Sequence, residues 1–273
     1  IGFAKMAGIH IVPVTAYIDG GFALPPIEDF EAKITSKTKA ILICNPGNPT
    51  GKVYAPEALD ALAQLVLKHD LYLFSDEVYR EFCYDGSQPK SVLELEGLAQ
   101  NAIMIDSVSK RFSMCGARVG ALVTKNAELR RTIMKFAMTR LSPPTLGQIA
   151  SEAALKAPAS YFDDVRSTYI KRRDVLVNGL NNIPGAMCPS PGGAFYAVCK
   201  LPIDNSDAFC QWILEHFDLD GDTVMMAPAS GFYSTEGAGH NEVRIAYVLD
   251  LQLLERAVLC LKAALEIYPG RTI

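Results

Sequence analysis

The stretch that most clearly indicates the fold is residues 40–51, A-I-L-I-C-N-P-G-N-P-T-G. Its first five residues form an apolar run of strand length, and the next seven contain the turn-forming pairs Asn-Pro and Thr-Gly. A helical pattern follows at Pro56–His69, with Pro56 suited to the first helical position and an apolar face of leucine and valine. A strand, a polar turn and an amphipathic helix in this order are typical of one unit of a parallel α/β sheet.

The same alternation recurs on both sides of this stretch. Further apolar runs of strand length are His10–Ala16, Leu71–Ser75, Ala102–Asp106 and Gly120–Thr124. Asn126 stands where an N-cap is expected, before a helical pattern that extends to Arg140. We therefore predict an α/β fold with a mostly parallel sheet flanked by helices.

The pattern changes near residue 160. A charged helical stretch, Tyr161–Leu180, is followed by the apolar run Gly193–Lys200. Shorter segments follow, with a helix starting near Ser206, a short apolar run at Thr223–Ala227, a strand-like Glu242–Val248 and a closing helix at Asp250–Leu265. We predict a larger domain at residues 1–159 and a smaller C-terminal α+β domain at residues 160–273.

Composition excludes several classes of partner. The 273 residues carry a net charge of −4, which gives no reason to expect nucleic acid or an anionic membrane as a partner. The apolar runs are too short to span a bilayer. The seven cysteines contain no C-x-x-C pair, and the four histidines are isolated, so we predict neither a disulfide framework nor a metal site. These features favour a cytoplasmic location.

Chemically useful side chains follow three of the predicted strands. The run Ala40–Cys44 is followed by Asn45–Gly51, Leu71–Phe74 by Ser75–Tyr79, and Ala102–Ile105 by Asp106–Lys110. In open parallel sheets, ligands bind beyond the carboxyl ends of the strands. The three strand ends therefore bring an amide, a carboxylate with a phenol, and two hydroxyls with an amine to one edge of the sheet.

Each of these segments also has an ordinary structural explanation. Asn45–Gly51 is a good turn sequence, and Lys110 and Arg118 could be solvated surface charges. Asp76 and Tyr79 could cap and cover a strand end. Arg244 is harder to explain in this way, because an arginine on an otherwise apolar strand needs an anionic partner, either a structural carboxylate or a ligand.

Taken together, the segments resemble the pyridoxal-phosphate-dependent class I/II aminotransferases of the aspartate-aminotransferase-like, fold type I superfamily. The resemblance runs through the whole chain in the family's order. It rests on Asn45–Gly51 (N-P-G-N-P-T-G), Asp76–Tyr79 (D-E-V-Y), Ser107–Arg118 (S-x-S-K with an arginine eight residues after the lysine) and Val243–Ala246 (V-R-I-A). Pro191–Tyr196 also matches an opening strand of the family's small domain.

The resemblance implies a catalytic group for the cofactor pyridoxal 5′-phosphate. Lys110 looks like the Schiff-base lysine, which also moves a proton between the substrate and the cofactor. Asp76 looks like the carboxylate that keeps the pyridine nitrogen protonated. Asn48 and Tyr79 resemble the pair that hydrogen-bonds the phenolic oxygen of the ring.

The resemblance also implies two anion sites. Ser107, Ser109 and Arg118 are similar to the family's phosphate ligands, and the planar fork of an arginine suits a phosphate dianion. Arg244 looks like the clamp for the α-carboxylate of the substrate, with Asn48 beside it. The expected substrates are therefore a small-molecule amino acid and a 2-oxo acid.

Some features of the family have no counterpart in this sequence. A small-residue loop that binds the phosphate, an aromatic residue that stacks on the ring, and a tyrosine donated across a dimer cannot be located. Ile1–Ala16 resembles the segment downstream of those features. We expect the chain to be the C-terminal part of a longer enzyme that is a homodimer at full length, and independent activity of this chain is an open question.

Substrate choice is weakly determined by the sequence. We favour an aspartate/glutamate-type transaminase, with Arg140 as a candidate for a second carboxylate site, although a cation at a helix C-terminus is equally well explained by the helix dipole. Phe232 and Tyr233 either line the substrate pocket or pack within the small domain. The alternatives are a pyridoxal-phosphate-dependent carbon–sulfur β-lyase and a catalytically incomplete fragment of an aminotransferase.

Overall fold

The computed structural model describes residues 2–273 and contains two β-sheets with helices packed around them. The elements up to residue 154 are α1 (Gly2–Met6), α2 (Ile27–Glu31), β1 (Ala40–Cys44), α3 (Pro56–Lys68), β2 (Tyr72–Asp76), β3 (Ala102–Ser107), α4 (Val108–Arg111), β4 (Gly120–Val123), α5 (Ala127–Arg140) and α6 (Thr145–Ala154). The later elements are α7 (Ala159–Asn181), β5 (Tyr196–Lys200), α8 (Ser206–His216), β6 (Ala227–Pro228), β7 (Glu242–Ala246) and α9 (Leu251–Ile267).

The first sheet has the strand order β1-β2-β3-β4. Strands β1, β2 and β3 are parallel, and β4 returns antiparallel to β3. The register pairs Cys44 with Asp76 and Asp76 with Ile105, so the carboxyl ends of the three parallel strands lie at one edge. The prediction of an α/β fold with a mostly parallel sheet flanked by helices is confirmed.

The second sheet is antiparallel, with the order β5-β7-β6. Arg244 lies on the central strand β7 and pairs with Val198 of β5 and Ala227 of β6. Helices α7 and α9 pack against each other beside this sheet, and their buried residues include Leu176, Leu180 and Leu261.

Two large apolar clusters form the core. One surrounds the first sheet and includes Leu62 of α3, Leu73 of β2 and Ile43 of β1. The other surrounds the second sheet, but it also takes in Tyr79 and Phe82, which follow β2. The segment after β2 thus packs with C-terminal elements, and the division of the chain at residue 159 stays a prediction.

Helix ends agree closely with the signals in the sequence. The Asn126 side chain accepts a hydrogen bond from the Leu129 backbone N–H at 2.9 Å, as expected for an N-cap. Asp250 caps α9 in the same way through the Leu253 N–H, also at 2.9 Å. Pro56 occupies the first turn of α3.

The structure differs from the sequence analysis in three places. His10–Ala16, predicted as a strand, forms neither helix nor strand, because no strand within residues 2–273 pairs with it and Pro13 cannot donate to a ladder. Thr223–Ala227 contributes only Ala227 to β6, and Met225 is 81% exposed. Helix α6 was not predicted; it follows a Pro-Pro pair, and its apolar side chains Leu146 and Ile149 are exposed.

Between residues 2 and 273, no helix combines the length and the apolar character needed to cross a membrane.

Candidate active site

Asp76 is the last residue of β2 and lies half-buried at the edge where the parallel strands end. Its Oδ1 atom accepts a hydrogen bond from the Val78 N–H at 3.2 Å. Burial raises the pKa of Asp76, the nearby carboxylate of Asp106 raises it further, and the Val78 N–H and the charge of Lys110 oppose the shift. Asp76 and Lys110 therefore interact electrostatically across the strand ends.

Lys110 lies in α4, a four-residue helix that begins directly after β3. Ser107 caps this helix: its Oγ atom accepts a hydrogen bond from the Ser109 N–H at 3.1 Å and lies 2.8 Å from the Ser109 Oγ. The Lys110 Nζ atom lies 5.9 Å from the centroid of the Tyr79 ring and 5.7 Å from that of Phe195. Two hydroxyls and an amine are thus grouped at the end of β3.

The loop that carries Arg118 folds back onto this group. The Val119 carbonyl accepts hydrogen bonds from the Val108 N–H at 3.3 Å and from the Ser107 hydroxyl at 2.9 Å. Arg118 has a φ of +56°, a left-handed conformation that is uncommon for a residue with a side chain. Its guanidinium is exposed and donates to the Cys115 carbonyl at 2.9 Å. The Arg118 backbone is therefore fixed beside the two serines.

The turn at Asn45–Gly51 is held by contacts with the C-terminal part of the chain. The Gly193 N–H donates to the Gly51 carbonyl at 2.8 Å, and Gly51 has a φ of +65°. A Cβ atom on Gly51 would lie 2.4 Å from the Cβ of Pro191, so only glycine fits this approach. The turn presents Asn48 at its exposed tip, facing the second sheet.

Arg244 extends from the central strand β7 toward this tip. Its Nη1 atom donates to the Asn48 Oδ1 atom at 3.3 Å. The Cζ atom lies 4.7 Å from the centroid of the Tyr196 ring and 4.8 Å from that of Phe232. The guanidinium therefore lies against two aromatic rings, within the range of cation–π attraction.

Tyr79 is buried between the two groups. Its ring meets Phe195 at 5.2 Å and Tyr196 at 5.9 Å between centroids, both edge to face. Burial raises the pKa of Tyr79, and the neighbouring Tyr196 phenol raises it further. Tyr79 therefore stays a protonated phenol over the physiological range.

The predicted site residues form one continuous arrangement. Contacts run from Lys110 to Tyr79, from Tyr79 through Tyr196 to Arg244, and from Arg244 to Asn48. The remaining predicted residues, Asp76, Ser107, Ser109 and Arg118, lie on the strand ends and the loop beside Lys110. Arg140 is different: it is exposed in the last turn of α5, in the position that the helix dipole favours for a cation.

A charged cluster beside Lys110 was missed by the sequence analysis. The Asp106 carboxylate lies 2.9 Å from the Arg111 Nη2 atom and 3.1 Å from the Arg80 Nη2 atom, and Glu81 lies 3.5 Å from the Arg111 Nε atom. These residues anchor α4 immediately after Lys110. Their signal in the sequence is faint, since each is a charged residue next to a motif and looks like an ordinary surface charge.

The sequence analysis placed Phe195 and Tyr196 in a segment that resembles a small-domain strand of the family. It did not predict their contacts with the site residues. The A-F-Y triplet opens β5 and turns two aromatic rings toward the strand ends of the first sheet. No local pattern indicates this, because the contacts join residues that are more than 100 positions apart in the chain.

The donor set fits pyridoxal 5′-phosphate. An amine, a carboxylate, a buried phenol and a cluster of two hydroxyls with a guanidinium match the aldehyde, the ring nitrogen, the ring oxygen and the phosphate of that molecule. The Ser107 and Ser109 hydroxyls lie 2.8 Å apart, as two donors to one phosphate would. Lys110, Asp76, Tyr79, Asn48, Ser107, Ser109 and Arg118 are the residues that could hold it.

Known proteins with similar sequences and structures share one family. Residues 2–260 match the model of aminotransferase class I and II. The chain is 32% identical over 270 residues to aspartate aminotransferase of Bacillus subtilis, covering 96% of this chain and 66% of that protein. It is 31% identical over 257 residues to aromatic-amino-acid aminotransferase 2 of Thermococcus litoralis, covering 93% of this chain and 64% of that protein.

Solved structures agree. Aspartate aminotransferase from Thermus thermophilus with maleate superposes with a TM-score of 0.84 at 29% identity, over 95% of this chain and 65% of that chain. The chain thus spans slightly less than two thirds of the length of the curated relatives named above.

Proposed function

The chain belongs to the aminotransferase class I and II family, and from this premise we propose that the protein is a pyridoxal-phosphate-dependent transaminase. It would move an amino group between an L-amino acid and a 2-oxo acid. The observation that carries the proposal is the position of Lys110, whose amine lies within 6 Å of the Tyr79 ring centroid at the strand ends that also carry Asp76 and Ser107.

Bound pyridoxal 5′-phosphate would supply the electron sink that the reaction needs. Ser107, Ser109 and Arg118 would bind its phosphate with hydroxyl and guanidinium donors. Tyr79 and Asn48 would donate hydrogen bonds to its ring oxygen. Lys110 would hold the cofactor and move a proton at its Nζ atom, because an amine freed from the cofactor can act as a general base.

The carboxylate of Asp76 would pair with the pyridine nitrogen. Burial raises the pKa of Asp76 despite the charge of Lys110 nearby. A protonated pyridine nitrogen would reverse this shift, because an opposite charge at contact distance favours the carboxylate. Cofactor and carboxylate would then stabilise each other's charged forms.

We propose that Arg244 binds the α-carboxylate of the substrate. It is a half-buried cation that faces Asn48, and its guanidinium fork can bind a carboxylate bidentately. An aspartate/glutamate-type substrate is favoured, because relatives named aspartate aminotransferase and a structure solved with the dicarboxylate maleate are similar to this chain. The similarity to an aromatic-amino-acid aminotransferase keeps a larger side chain as the second candidate.

The remaining parts of the proposal concern the setting of the enzyme. We propose a cytoplasmic location and a homodimer at full length, in line with the resemblance to this family. A carbon–sulfur β-lyase is the alternative reaction on the same residues. Amino-group transfer that requires a 2-oxo acid acceptor would support the transaminase, whereas ammonia and a 2-oxo acid formed without an acceptor would support the lyase.

The decisive experiment traps the cofactor on the protein. The protein is incubated with pyridoxal 5′-phosphate, reduced with borohydride, digested and mapped, with Lys110→Arg as the matched control. We expect the label on Lys110 and none in the control. A label on another lysine, or no label at all, would overturn the assignment, and absence of any label would favour an incomplete fragment.

A further inference from the structure

Arg244 has an unusual environment for a strand arginine. Within residues 2–273, no carboxylate lies within 4.0 Å of its guanidinium. Its recorded polar contact is a single 3.3 Å hydrogen bond to the neutral Asn48 amide oxygen. The positive charge is therefore not neutralised by the fold, and it depends on other contacts to hold it in place.

Two aromatic rings provide those contacts. The Tyr196 and Phe232 centroids lie 4.7 Å and 4.8 Å from the Arg244 Cζ atom. Ring faces attract a guanidinium through their quadrupole and displace water from its plane, but they leave the N–H groups at its edge available. The arginine is thus restrained in orientation while its hydrogen-bonding fork stays usable.

The two rings come from different elements. Tyr196 is the first residue of β5, a strand in direct register with β7. Phe232 ends a short helical turn after β6 and is 40% exposed. Tyr196 is therefore built into the sheet, whereas Phe232 contacts the guanidinium from a partly exposed turn.

Tyr196 also contacts the Lys110 side of the site. Its ring packs edge to face on Tyr79 at 5.9 Å, and the same Tyr79 ring lies 5.9 Å from the Lys110 Nζ atom. The Tyr196 phenol is also one cause of the raised pKa of Tyr79, as expected for two phenols packed side by side. One residue thus touches both the carboxylate clamp and the phenol next to the lysine.

We propose that Tyr196 is a positioning residue that, together with Phe232, holds Arg244 for the substrate carboxylate with its ring, and that orients the Tyr79 hydroxyl with its phenol. The proposal rests on the proposed function, since it takes Arg244 as the carboxylate clamp. Fixing the guanidinium before the substrate arrives reduces the entropy lost on binding. The ring and the phenol have separate tasks, and substitutions can separate them.

The test measures binding rather than turnover. The protein loaded with pyridoxal 5′-phosphate is titrated calorimetrically with maleate, an unreactive dicarboxylate. Phe232→Leu and Tyr196→Leu, which remove a ring face, should weaken maleate binding roughly 3- to 30-fold, as expected for the loss of one cation–π contact. Tyr196→Phe keeps the face and should bind maleate like the parent, as should the exposed control Phe136→Leu.

A second readout isolates the phenol. In Tyr196→Phe, the Tyr79 hydroxyl is no longer oriented toward the ring oxygen of the cofactor, and the weaker hydrogen bond disfavours the ionised form of that oxygen. The midpoint of the pH titration of cofactor absorbance should therefore rise in Tyr196→Phe and stay at the parent value in Phe232→Leu. An unchanged midpoint in Tyr196→Phe overturns the role of the phenol.

The outcomes distinguish this proposal from the proposed function. Unchanged maleate affinity in Phe232→Leu and Tyr196→Leu, with Lys110 still trapped by borohydride, overturns the positioning role alone. A parent protein that carries no label on Lys110 overturns the proposed function itself. If Tyr196→Leu does not fold, Phe232→Leu and the pH titration of Tyr196→Phe still decide the question.

Discussion

The sheet that carries Arg244 and the outer edge of the first sheet, formed by β4 next to Lys110, differ in how deeply their apolar side chains are buried. On β5 and β7, Ala197, Cys199 and Val243 are fully buried. By contrast, all of β4 is exposed, and α5 has no buried residue, with Phe136 74% exposed. The carboxylate clamp therefore rests on a closed core, while the lysine lies on a sheet whose outer edge is open. Substitutions of the same kind should have unequal effects on the two sides.

The largest difference is expected for phenylalanine truncation. Phe209 of α8 is fully buried against Trp212 and Tyr268, so Phe209→Ala should lower the free energy of unfolding by about 3–5 kcal/mol. Phe136→Ala on α5 should change it by less than about 0.5 kcal/mol. Urea unfolding measures both. Equal losses would mean that α5 is as well packed as α8 and would remove the contrast.

A second comparison exchanges the two arginines of the site. Arg244→Lys should raise the KM for the amino acid about 10- to 100-fold with little change in cofactor affinity, because a point charge replaces a bidentate fork. Arg118→Lys should do the reverse and weaken pyridoxal 5′-phosphate more than the substrate. Steady-state kinetics and fluorescence titration of the cofactor separate the two. Parallel losses of both affinities in either variant would contradict the assigned roles.

A smaller effect concerns the buried carboxylate of Glu77, whose Oε1 atom accepts a hydrogen bond from the Val92 N–H at 2.8 Å. Burial raises the pKa of Glu77, so the native state binds this proton more tightly than the unfolded state. That contribution to stability is present below the unfolded pKa of about 4.3 and is lost as the pH rises through the folded pKa.

Glu77→Gln keeps the acceptor for Val92 but removes the titration. Relative to the parent, the variant should become more stable as the pH rises from 4 to 7, as measured by urea unfolding at each pH. Glu255→Gln on the exposed face of α9 is the matched control. A stability difference for Glu77→Gln that does not change with pH would contradict the linkage.

The smallest effect is expected within the charged cluster next to Lys110. The negative charge of Asp106 is one cause of the raised pKa of Asp76, so Asp106→Asn should lower the pKa of Asp76. The freed arginines, Arg80 and Arg111, act in the same direction. Carbon-13 NMR of labelled aspartate carboxyl groups measures the shift, with Asp60→Asn on α3 as control. A raised pKa of Asp76 would show that the loss of the cluster disturbs the strand end.

Local patterns predicted most elements of the fold. The runs that became β1, β2, β3 and β4 are short, apolar and bounded by turn residues, and the N-caps at Asn126 and Asp250 lie where the sequence indicates. These features depend on neighbouring residues only, which is why they can be recognised without coordinates. His10–Ala16 shows the limit of this approach. An apolar run becomes a strand only when a partner strand is available, and no strand in the described part of the chain pairs with His10–Ala16.

The candidate site likewise contains residues that the sequence predicted together and residues that it did not. Asp76, Ser107 and Lys110 were expected together because each follows a parallel strand, and the topology of such sheets places those ends at one edge. The cluster of Arg80, Asp106 and Arg111 could not be expected, since the sequence does not distinguish an ion pair from separate surface charges.

Short sequence motifs thus determine which chemical groups occur at the site. The roles of these groups follow once the motifs are assigned to a family. Only the tertiary structure decides that Tyr196 and Phe232 both contact Arg244 and that Tyr79 contacts both Tyr196 and Lys110. The physical reason is the range of the interactions. Turns, caps and strand ends depend on residues a few positions apart, whereas these contacts join separate elements, and Tyr79 and Tyr196 are more than 100 residues apart in the chain.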